Sequence, residues 1–194
     1  EFIRRIGAYA QTIAKGTWIT SGDWDHENWG GVLPSRQWID SVTMDHPVWI
    51  NRLDGHMNLA NSAALRLAGI TEMVKDIPGG TIGRDKTGKL TGIFKDNAKG
   101  LIGKIVPKPT DELEDIALEA AMNYVAERGV TSVHNMRHFE DAFERAHQAG
   151  KMKTRIYASM PLYDWKVLDA KIKEQGRGDE WLRRGGLKEY VAGS

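Results

Sequence analysis

The chain has 194 residues, 41% of them hydrophobic, so it can bury a core in one domain or in a domain with a small appendage. Its 27 Lys and Arg residues nearly balance its 26 Asp and Glu residues, and the two signs are interspersed, which argues against nucleic acid as a partner. The absence of Cys excludes disulfides and thiolate metal sites and is typical of a reducing compartment, so we expect a cytoplasmic protein. No apolar run approaches the roughly 18 residues of a membrane span, and we expect no membrane partner.

Both ends of the sequence resemble cut ends. Residues 1–6 read as the interior of a helix without an initiator Met, and the sequence stops just after a strand-like segment, with no closing element. We therefore expect a fragment of a longer protein.

The first half predicts short strands and one helix. Strands are expected at 17–20 and 47–50, and a helix is expected at 58–67, ended by Gly69. Residues 85–88 predict a turn between two short extended pieces. We interpret residues 16–106 as an insertion packed on a barrel.

The second half alternates strand-like and helix-like segments, which is typical of parallel βα units. Thr110 is placed to cap a helix that Gly129 ends. Apolar residues recur along this helix at steps of three and four, at Leu113, Ile116, Ala117, Ala120, Ala121, Tyr124 and Val125. The segments that follow are a strand at 130–133, a helix at 139–148, a strand at 155–160, a helix at 165–173 and a strand at 187–191.

None of the six His residues shows the HxH or HExxH spacing that places two imidazoles on one metal. His56 follows the predicted strand 47–50 and precedes the predicted helix, a junction where α/β folds place ligand-contacting groups. Asn61, one turn into that helix, is expected to reach the same pocket or to bond backbone. His134 follows the strand 130–133, so it is expected at a strand's carboxyl end, where barrels carry their chemistry.

Two further features have both a structural and a functional interpretation. Trp24 belongs to a group of Trp residues crowded into the first third of the chain, which favours an aromatic surface for a core or for a substrate. Lys188 lies in an otherwise apolar and aromatic segment, and a buried lysine is costly unless it is paired, neutral or chemically altered. The alternative is an edge strand that leaves this lysine in water.

A series of short motifs runs through nearly the whole chain. They are Gly22 to Trp29, Leu33 to Arg36, His46 to Val48, Asp54 to His56, Asn61 to Leu65, Ala68 to Ile70, Pro78 to Gly80, Thr91 to Ile93, Gly129 to Val133 and Gly186 to Lys188. In this order they resemble the motifs of the amidohydrolase family 3 proteins, a group that includes the N-substituted formamide deformylases.

The resemblance implies an α/β fold, part of a (β/α)8 TIM barrel of a metal-dependent hydrolase. Residues 1–15 would form a barrel helix, residues 16–106 an inserted small α+β subdomain, and residues 107–194 the βα units of an incomplete barrel. In that family an HxH pair, a lysine that is carboxylated in some members, two further His residues and an Asp hold the metals. Lys188 falls on the lysine motif, which implies a ligand for a divalent metal, with zinc expected and iron or manganese as alternatives. The other ligands are expected outside residues 1–194, so no catalytic residue is assigned.

The function implied is hydrolysis, by metal-activated water, of an amide or another non-peptide C–N bond in a small molecule. Four residues are expected to shape the substrate pocket, namely Trp24, His56, Asn61 and His134. The fragment itself is expected to be inactive and, with exposed strand edges, to self-associate as a homo-oligomer. The alternative is a binding protein rather than an enzyme, namely a non-catalytic α/β module that holds a small ligand in a Trp-rich pocket.

Overall fold

A computed structural model describes residues 1–136 and 141–189. The chain divides into two compact units, Glu1–Pro107 and Lys108–Ser194. The assignment of residues 1–15 to a barrel helix and of residues 16–106 to an insertion stays a prediction. None of the helices in the described ranges combines the length and the apolar character that crossing a bilayer requires.

The first unit is a mixed α/β structure built on one sheet. Its elements in chain order are α1 (Phe2–Ala10), β1 (Ile19–Thr20), a 3-10 helix (His26–Trp29), α2 (Arg36–Ile39), a 3-10 helix (Asp40–Val42), β2 (Val48–Asn51), β3 (Met57–Ala60), α3 (Ser62–Leu67), β4 (Gly80–Arg84), β5 (Leu90–Asp96), a 3-10 helix (Asn97–Lys99) and α4 (Gly100–Gly103). The strand order is β1-β2-β3-β5-β4, with β1 parallel to β2 and the other neighbours antiparallel.

Both faces of this sheet are covered, because successive strand residues point to opposite sides. Along β2, Val48 and Ile50 join one buried cluster and Trp49 joins the other. Along β5, Ile93 and Phe94 divide in the same way. Helix α1 packs on the cluster that contains Val48 and Ile50, while α3 and α4 cover the cluster that contains Trp49.

The predicted helix at 58–67 is wrong in its first half. Met57–Ala60 is strand β3, and the helix begins only at Ser62, after Asn61 has capped it. Strand β3 pairs with β2 on one side and with β5 on the other, so its backbone N–H and C=O groups are bonded across the sheet. This long-range pairing overrides the helical spacing of the apolar residues, because strand formation depends more on tertiary context than on local preference.

The second unit consists of βα segments around a parallel sheet. Its elements are α5 (Asp111–Ala126), β6 (Ser132–Asn135), α6 (Asp141–Gln148), β7 (Arg155–Pro161), a 3-10 helix (Leu162–Asp164), α7 (Trp165–Gln175) and β8 (Leu182–Lys188). Within the described residues the strand order is β6-β7-β8, and both pairings are parallel. The predicted order of strands and helices is therefore confirmed, whereas a closed or partial TIM barrel stays a prediction.

Two strands of the second unit begin at residues other than those predicted. Strand β6 begins at Ser132 rather than at 130, and β8 begins at Leu182, five residues before the predicted start at 187. The charges of Arg183 and Arg184 hide this strand in the sequence. Arg184 is buried, with its guanidinium bonded to Gln175 and Glu144, so a charged residue occupies an inward position. The predicted strand residues 190 and 191, and the first two residues of the predicted helix at 139–148, lie outside the described residues.

Helix α5 forms as predicted, and the hydroxyl of Thr110 accepts a hydrogen bond from the N–H of Leu113 at 3.3 Å. Its apolar stripe, however, is exposed. Met122 is buried, while Leu113, Ile116 and Tyr124 are more than half exposed. The guanidinium of Arg145 on α6 pairs with three carboxylates of the first turns of α5, those of Asp111, Glu114 and Asp115.

Candidate functional site

The predicted site residues fall in both units. Trp24, His56 and Asn61 belong to the first unit, and His134 and Lys188 belong to the second.

His56 lies in the turn that joins β2 to β3, so the prediction that it precedes a helix is wrong. The turn passes through Gly55, whose φ of +75° suits a residue without a Cβ. The backbone N–H of His56 donates to Oδ1 of Asp54 at 3.0 Å, and its carbonyl accepts the N–H of Asp96 at 2.9 Å. The imidazole is therefore anchored through its backbone at the end of the β3–β5 ladder, with 43% of its side chain exposed.

The side chain of His56 bonds to Asp96, the last residue of β5. Nδ1 of the imidazole lies 3.0 Å from Oδ1 of the carboxylate. In the part of the chain that the structure describes, this is the hydrogen bond that the Asp96 carboxylate makes, and Nε2 of His56 makes none. An imidazole with one nitrogen held by a carboxylate and the other open can accept or donate a hydrogen bond at the open nitrogen.

Charged neighbours surround this turn. Burial raises the pKa of Asp54, but the N–H of His56 and the guanidinium of Arg52 outweigh it, so the net shift lowers that pKa. Arg52 also pairs with Asp25 at 3.2 Å, and its Nε lies 3.3 Å from Nδ1 of His26. Lys99 donates from Nζ to the carbonyl of Gly55. The His56 turn is thus fixed by ionic and backbone bonds on both sides.

Asn61 is 1% exposed, and all of its side-chain polar groups are bonded inside the unit. Oδ1 accepts from the N–H of Val48 and from the N–H of Ala64, both at 2.9 Å. Nδ2 donates to the carbonyl of His46 at 2.8 Å and to the hydroxyl of Thr43 at 2.9 Å. These bonds give Asn61 a structural role, and the substrate contact predicted for it finds no support in them.

Trp24 is 5% exposed and belongs to the core, with its indole N–H donating to the carbonyl of Ile50 at 3.1 Å. Trp24 also lines a cleft of about 600 Å³ beside α1. Trp29 and Trp38 line the same cleft, together with Asp23 and Asp25. The structural interpretation of Trp24 accounts for its burial, and a substrate contact in the cleft stays a prediction.

His134 and Lys188 lie on β6 and β8, the two outer strands of the parallel sheet described in the second unit. His134 is the third residue of the four-residue strand β6, pairs with Tyr157 in register, and is exposed. Its ring centroid lies 5.2 Å from that of Tyr157, which orients it over β7. Lys188 ends β8, pairs with Pro161 at the end of β7, and is half-buried. Lys188 therefore lies at the carboxyl end of the sheet, the end that carries ligand sites in α/β folds, whereas the β7 partner of His134 is four residues before the β7 partner of Lys188.

The described residues do not by themselves fit a complete metal centre. No group of three or more His, Asp or Glu side chains within residues 1–136 and 141–189 is arranged to hold a metal ion. Lys188 is thus a single candidate ligand in this structure, and its role stays a prediction.

Asp96 is the site residue that the sequence did not indicate. It follows Phe94 and Lys95 at the end of a strand and precedes Asn97, a context typical of an ordinary turn. Its partner His56 is 40 residues earlier, and only the pairing of β3 with β5 brings the two together.

Comparison with known proteins identifies the relationship. The sequence profile described as "Amidohydrolase family" matches residues 1–194, the whole chain. This chain belongs to the amidohydrolase family. The resemblance noted in the motifs is therefore confirmed.

Several known proteins are similar to this chain over part of their length. The chain is 36% identical to the protein LONG AFTER FAR-RED 3 of Arabidopsis thaliana, covering 100% of this chain and 36% of that protein. It is 31% identical to the N-substituted formamide deformylase of Arthrobacter pascens, over 78% of this chain and 30% of the enzyme. A crystal structure of an uncharacterized metal-dependent hydrolase from Pyrococcus horikoshii OT3 superposes with a TM-score of 0.60 at 23% identity, over 95% of this chain and 35% of that one. The chain thus spans about a third of the length of these relatives.

Proposed function

We propose that this chain is part of a metal-dependent hydrolase that cleaves an amide, or another C–N bond outside peptides, in a small molecule. The observation that carries the proposal is the match of the whole chain to the amidohydrolase family. The identity shared with a protein named N-substituted formamide deformylase favours N-substituted formamides as the first compounds to test. Because the sequence has no Cys, we also propose that the protein works in the cytoplasm, a reducing compartment.

Lys188 is the proposed contribution of this chain to the metal centre. Its position at the carboxyl end of β8 supports this role, because ligand sites of α/β folds lie at that edge. In this proposal the lysine is carboxylated and provides an anionic oxygen ligand for a divalent metal, zinc first and iron or manganese as alternatives. Since the described residues hold no metal-binding cluster, no reaction step is assigned to them.

His56 in the first unit and His134 in the second unit are each a proposed substrate contact. Nε2 of His56 makes no hydrogen bond within the described residues, and His134 presents an exposed ring near the carboxyl end of β6. Trp24 is a further proposed contact, limited to the 5% of its surface that is exposed.

The test is hydrolysis by the complete protein that carries this chain. A panel of N-alkyl and N-aryl formamides is incubated with the protein, and formate release is measured before dialysis against a chelator, after it, and after zinc, iron or manganese is added back. We expect activity to disappear with the metal and to return with one of the three ions. Activity that survives complete metal removal would reject the metal-dependent mechanism.

The isolated 194-residue chain is expected to be inactive in the same assay, because the remaining ligands of the family's metal site are expected elsewhere. Formate release by the isolated chain at the rate of the complete protein would contradict this. Light scattering of the isolated chain tests the accompanying proposal of self-association.

A second candidate function rests on the cleft of about 600 Å³ lined by Trp24, Trp29 and Trp38, which has the size of a small-molecule site. In this alternative the chain is a non-catalytic module that binds a small ligand. Tight binding of an aromatic amide by the complete protein, with no bound metal and no turnover, would favour the module over the hydrolase.

A further inference from the structure

The pair formed by His56 and Asp96 combines an exposed location with a strained backbone. Asp96 has φ +47° and ψ −123°, a combination that a residue with a Cβ rarely adopts and that the first central position of a type II′ turn reserves for Gly. Such backbone conformations cost free energy at any residue other than Gly, and they cluster at functional sites.

The neighbouring backbone imposes this conformation whatever the side chain. The N–H of Asp96 donates to the carbonyl of His56, and the N–H of Asn97 donates to the carbonyl of Gly79 at 3.0 Å. Gly would satisfy both bonds without strain. The presence of Asp therefore has to be explained by its carboxylate.

Stability does not explain the carboxylate. It forms no cap for the 3-10 helix Asn97–Lys99 that follows it. Its partner is an imidazole that is 43% exposed, and Asp96 itself is 48% exposed. Ion pairs that are this exposed to solvent add little to the stability of the folded state.

We propose that Asp96 is a positioning residue for His56. Its carboxylate accepts the Nδ1 proton, which selects the tautomer of the neutral imidazole that is protonated at Nδ1. Nε2, which makes no hydrogen bond within the described residues, is then left as a hydrogen-bond acceptor. Which ring nitrogen carries the proton is set by the bond that the other nitrogen makes.

The ligand that fits this arrangement carries an N–H donor, and a secondary amide is such a group. This identification of the ligand rests on the proposed function, in which the substrate is a small amide. The tautomer and the strain at Asp96 are properties of the chain alone, so they can be tested whether or not an amide is hydrolysed.

The first measurement is NMR of protein labelled with 15N at His, with the His56 signals assigned by their loss in His56→Gln. In the unaltered chain at neutral pH we expect the Nδ1-protonated tautomer. Asp96→Gly should shift His56 towards the Nε2-protonated tautomer, whereas Asp96→Asn should retain the original one, because the amide oxygen can still accept the proton. A predominantly Nε2-protonated His56 in the unaltered chain, or no shift in Asp96→Gly, would overturn the proposal.

The second measurement is the urea midpoint of unfolding of the same variants. Asp96→Gly is expected to keep or raise the midpoint. The substitution removes the backbone strain at residue 96, and the hydrogen bond to His56 that is lost with it stabilises the folded state little. Ser21→Gly is the matched control, since Ser21 also has a positive φ, +64°, and lies outside the pair. It should behave similarly in urea and leave the His56 tautomer unchanged. A large fall in the midpoint for Asp96→Gly alone would show that Asp96 has a structural role, and the proposal would be wrong.

The third measurement uses the complete protein and an N-alkylformamide. Asp96→Gly should raise KM more than it lowers kcat, because the group lost orients a substrate contact, and Asp96→Asn should restore much of the KM. If KM is unchanged in Asp96→Gly while the tautomer shifts, the amide is not the ligand of Nε2. If no formamide is hydrolysed by the unaltered protein, the proposed function fails, while the tautomer and stability results stand on their own.

Discussion

Oδ1 of Asn61 accepts a hydrogen bond at 2.9 Å from the N–H of Val48, thirteen residues earlier in the chain. The same oxygen accepts the N–H of Ala64 in the first turn of α3. One side chain therefore ends the β3 segment, begins a helix and fixes a buried strand, which explains why an amide stands at this position.

Replacing Asn61 by Ala should destabilise the first unit by about 3–5 kcal/mol, because buried N–H and C=O groups would lose their partners. The measurement is urea unfolding followed by Trp fluorescence, which reports on the Trp residues of this unit. Asn28→Ala, at an exposed position, is the control and should change stability by less than about 0.5 kcal/mol. Equal effects of the two variants would contradict the structural role of Asn61.

Gly92 should tolerate no side chain. It has φ +89°, and a Cβ there would overlap the carbonyl oxygen of Ala60 and lie 3.1 Å from Cβ of Arg36. Backbone strain and overlap together should make Gly92→Ala destabilising by about 3–5 kcal/mol in thermal or urea unfolding.

The matched control for this variant is Gly88→Ala. Gly88 has a similar φ of +83°, but no atom lies within 4 Å of the added Cβ. Its cost should be limited to the backbone strain, about 1–2 kcal/mol. A cost for Gly88→Ala as large as that for Gly92→Ala would show that the close approach of β3 contributes nothing.

Asp179 should make the second unit sensitive to acid. The backbone N–H groups of Leu182 and Trp181, followed by the imidazole of His147, lower the pKa of Asp179 from 3.8 to about 2. Since the folded state binds this proton less tightly than the unfolded state, the stabilisation is complete above pH 3.8 and is lost as the pH falls towards about 2.

The measurement is the urea midpoint from pH 5 down to pH 2, in steps of about half a unit. Asp179→Asn should flatten this dependence, because the amide does not titrate and still accepts the backbone N–H groups. Glu174→Gln, at an exposed position on α7, is the control and should follow the unaltered protein. Identical slopes for Asp179→Asn and the unaltered protein would contradict the assignment.

Lys188→Arg should remove metal from the complete protein. The guanidinium stays cationic and forms no carbamate, so the proposed anionic ligand would be lost. We expect metal affinity to fall at least about 10-fold. Losing a residue that only hydrogen-bonds to a metal ligand already costs about this much, and Lys188 is proposed as a ligand itself. Metal content is measured by elemental analysis after dialysis. Lys151→Arg, at an exposed position, should retain the metal, and retention by Lys188→Arg as well would exclude Lys188 as a ligand.

The second unit was the more predictable part of the fold. Thr110 and Gly129 delimit α5, and the alternation of β7 with its flanking helices can be recognised from the sequence because each element has local start and stop signals. Strand β8 was misplaced, since its inward-facing Arg184 depends on Glu144 and Gln175, which belong to other elements.

The first unit was less predictable because its pairings connect distant residues. The helical spacing that continues from Met57–Ala60 into α3 concealed a strand that exists only through pairing with β2 and β5. His56 could be singled out because its own local motif marks it. Asp96 could not, because its contact with His56 depends on the pairing of distant strands. A hydrogen bond across 40 residues has no local signal.

The exposed stripe on α5 has a consequence for how this helix opens. Most of the apolar stripe of α5 is exposed, and the helix is attached to its unit through buried Met122, through Leu118 against the core cluster, and through the bridge from Arg145 to Asp111, Glu114 and Asp115. Its amides should therefore exchange with deuterium well before those of β7, and rising sodium chloride should accelerate that exchange by screening the bridge. In molar salt the bridge should be largely screened, so that Leu118 and Met122 are then what holds this 16-residue helix to its unit.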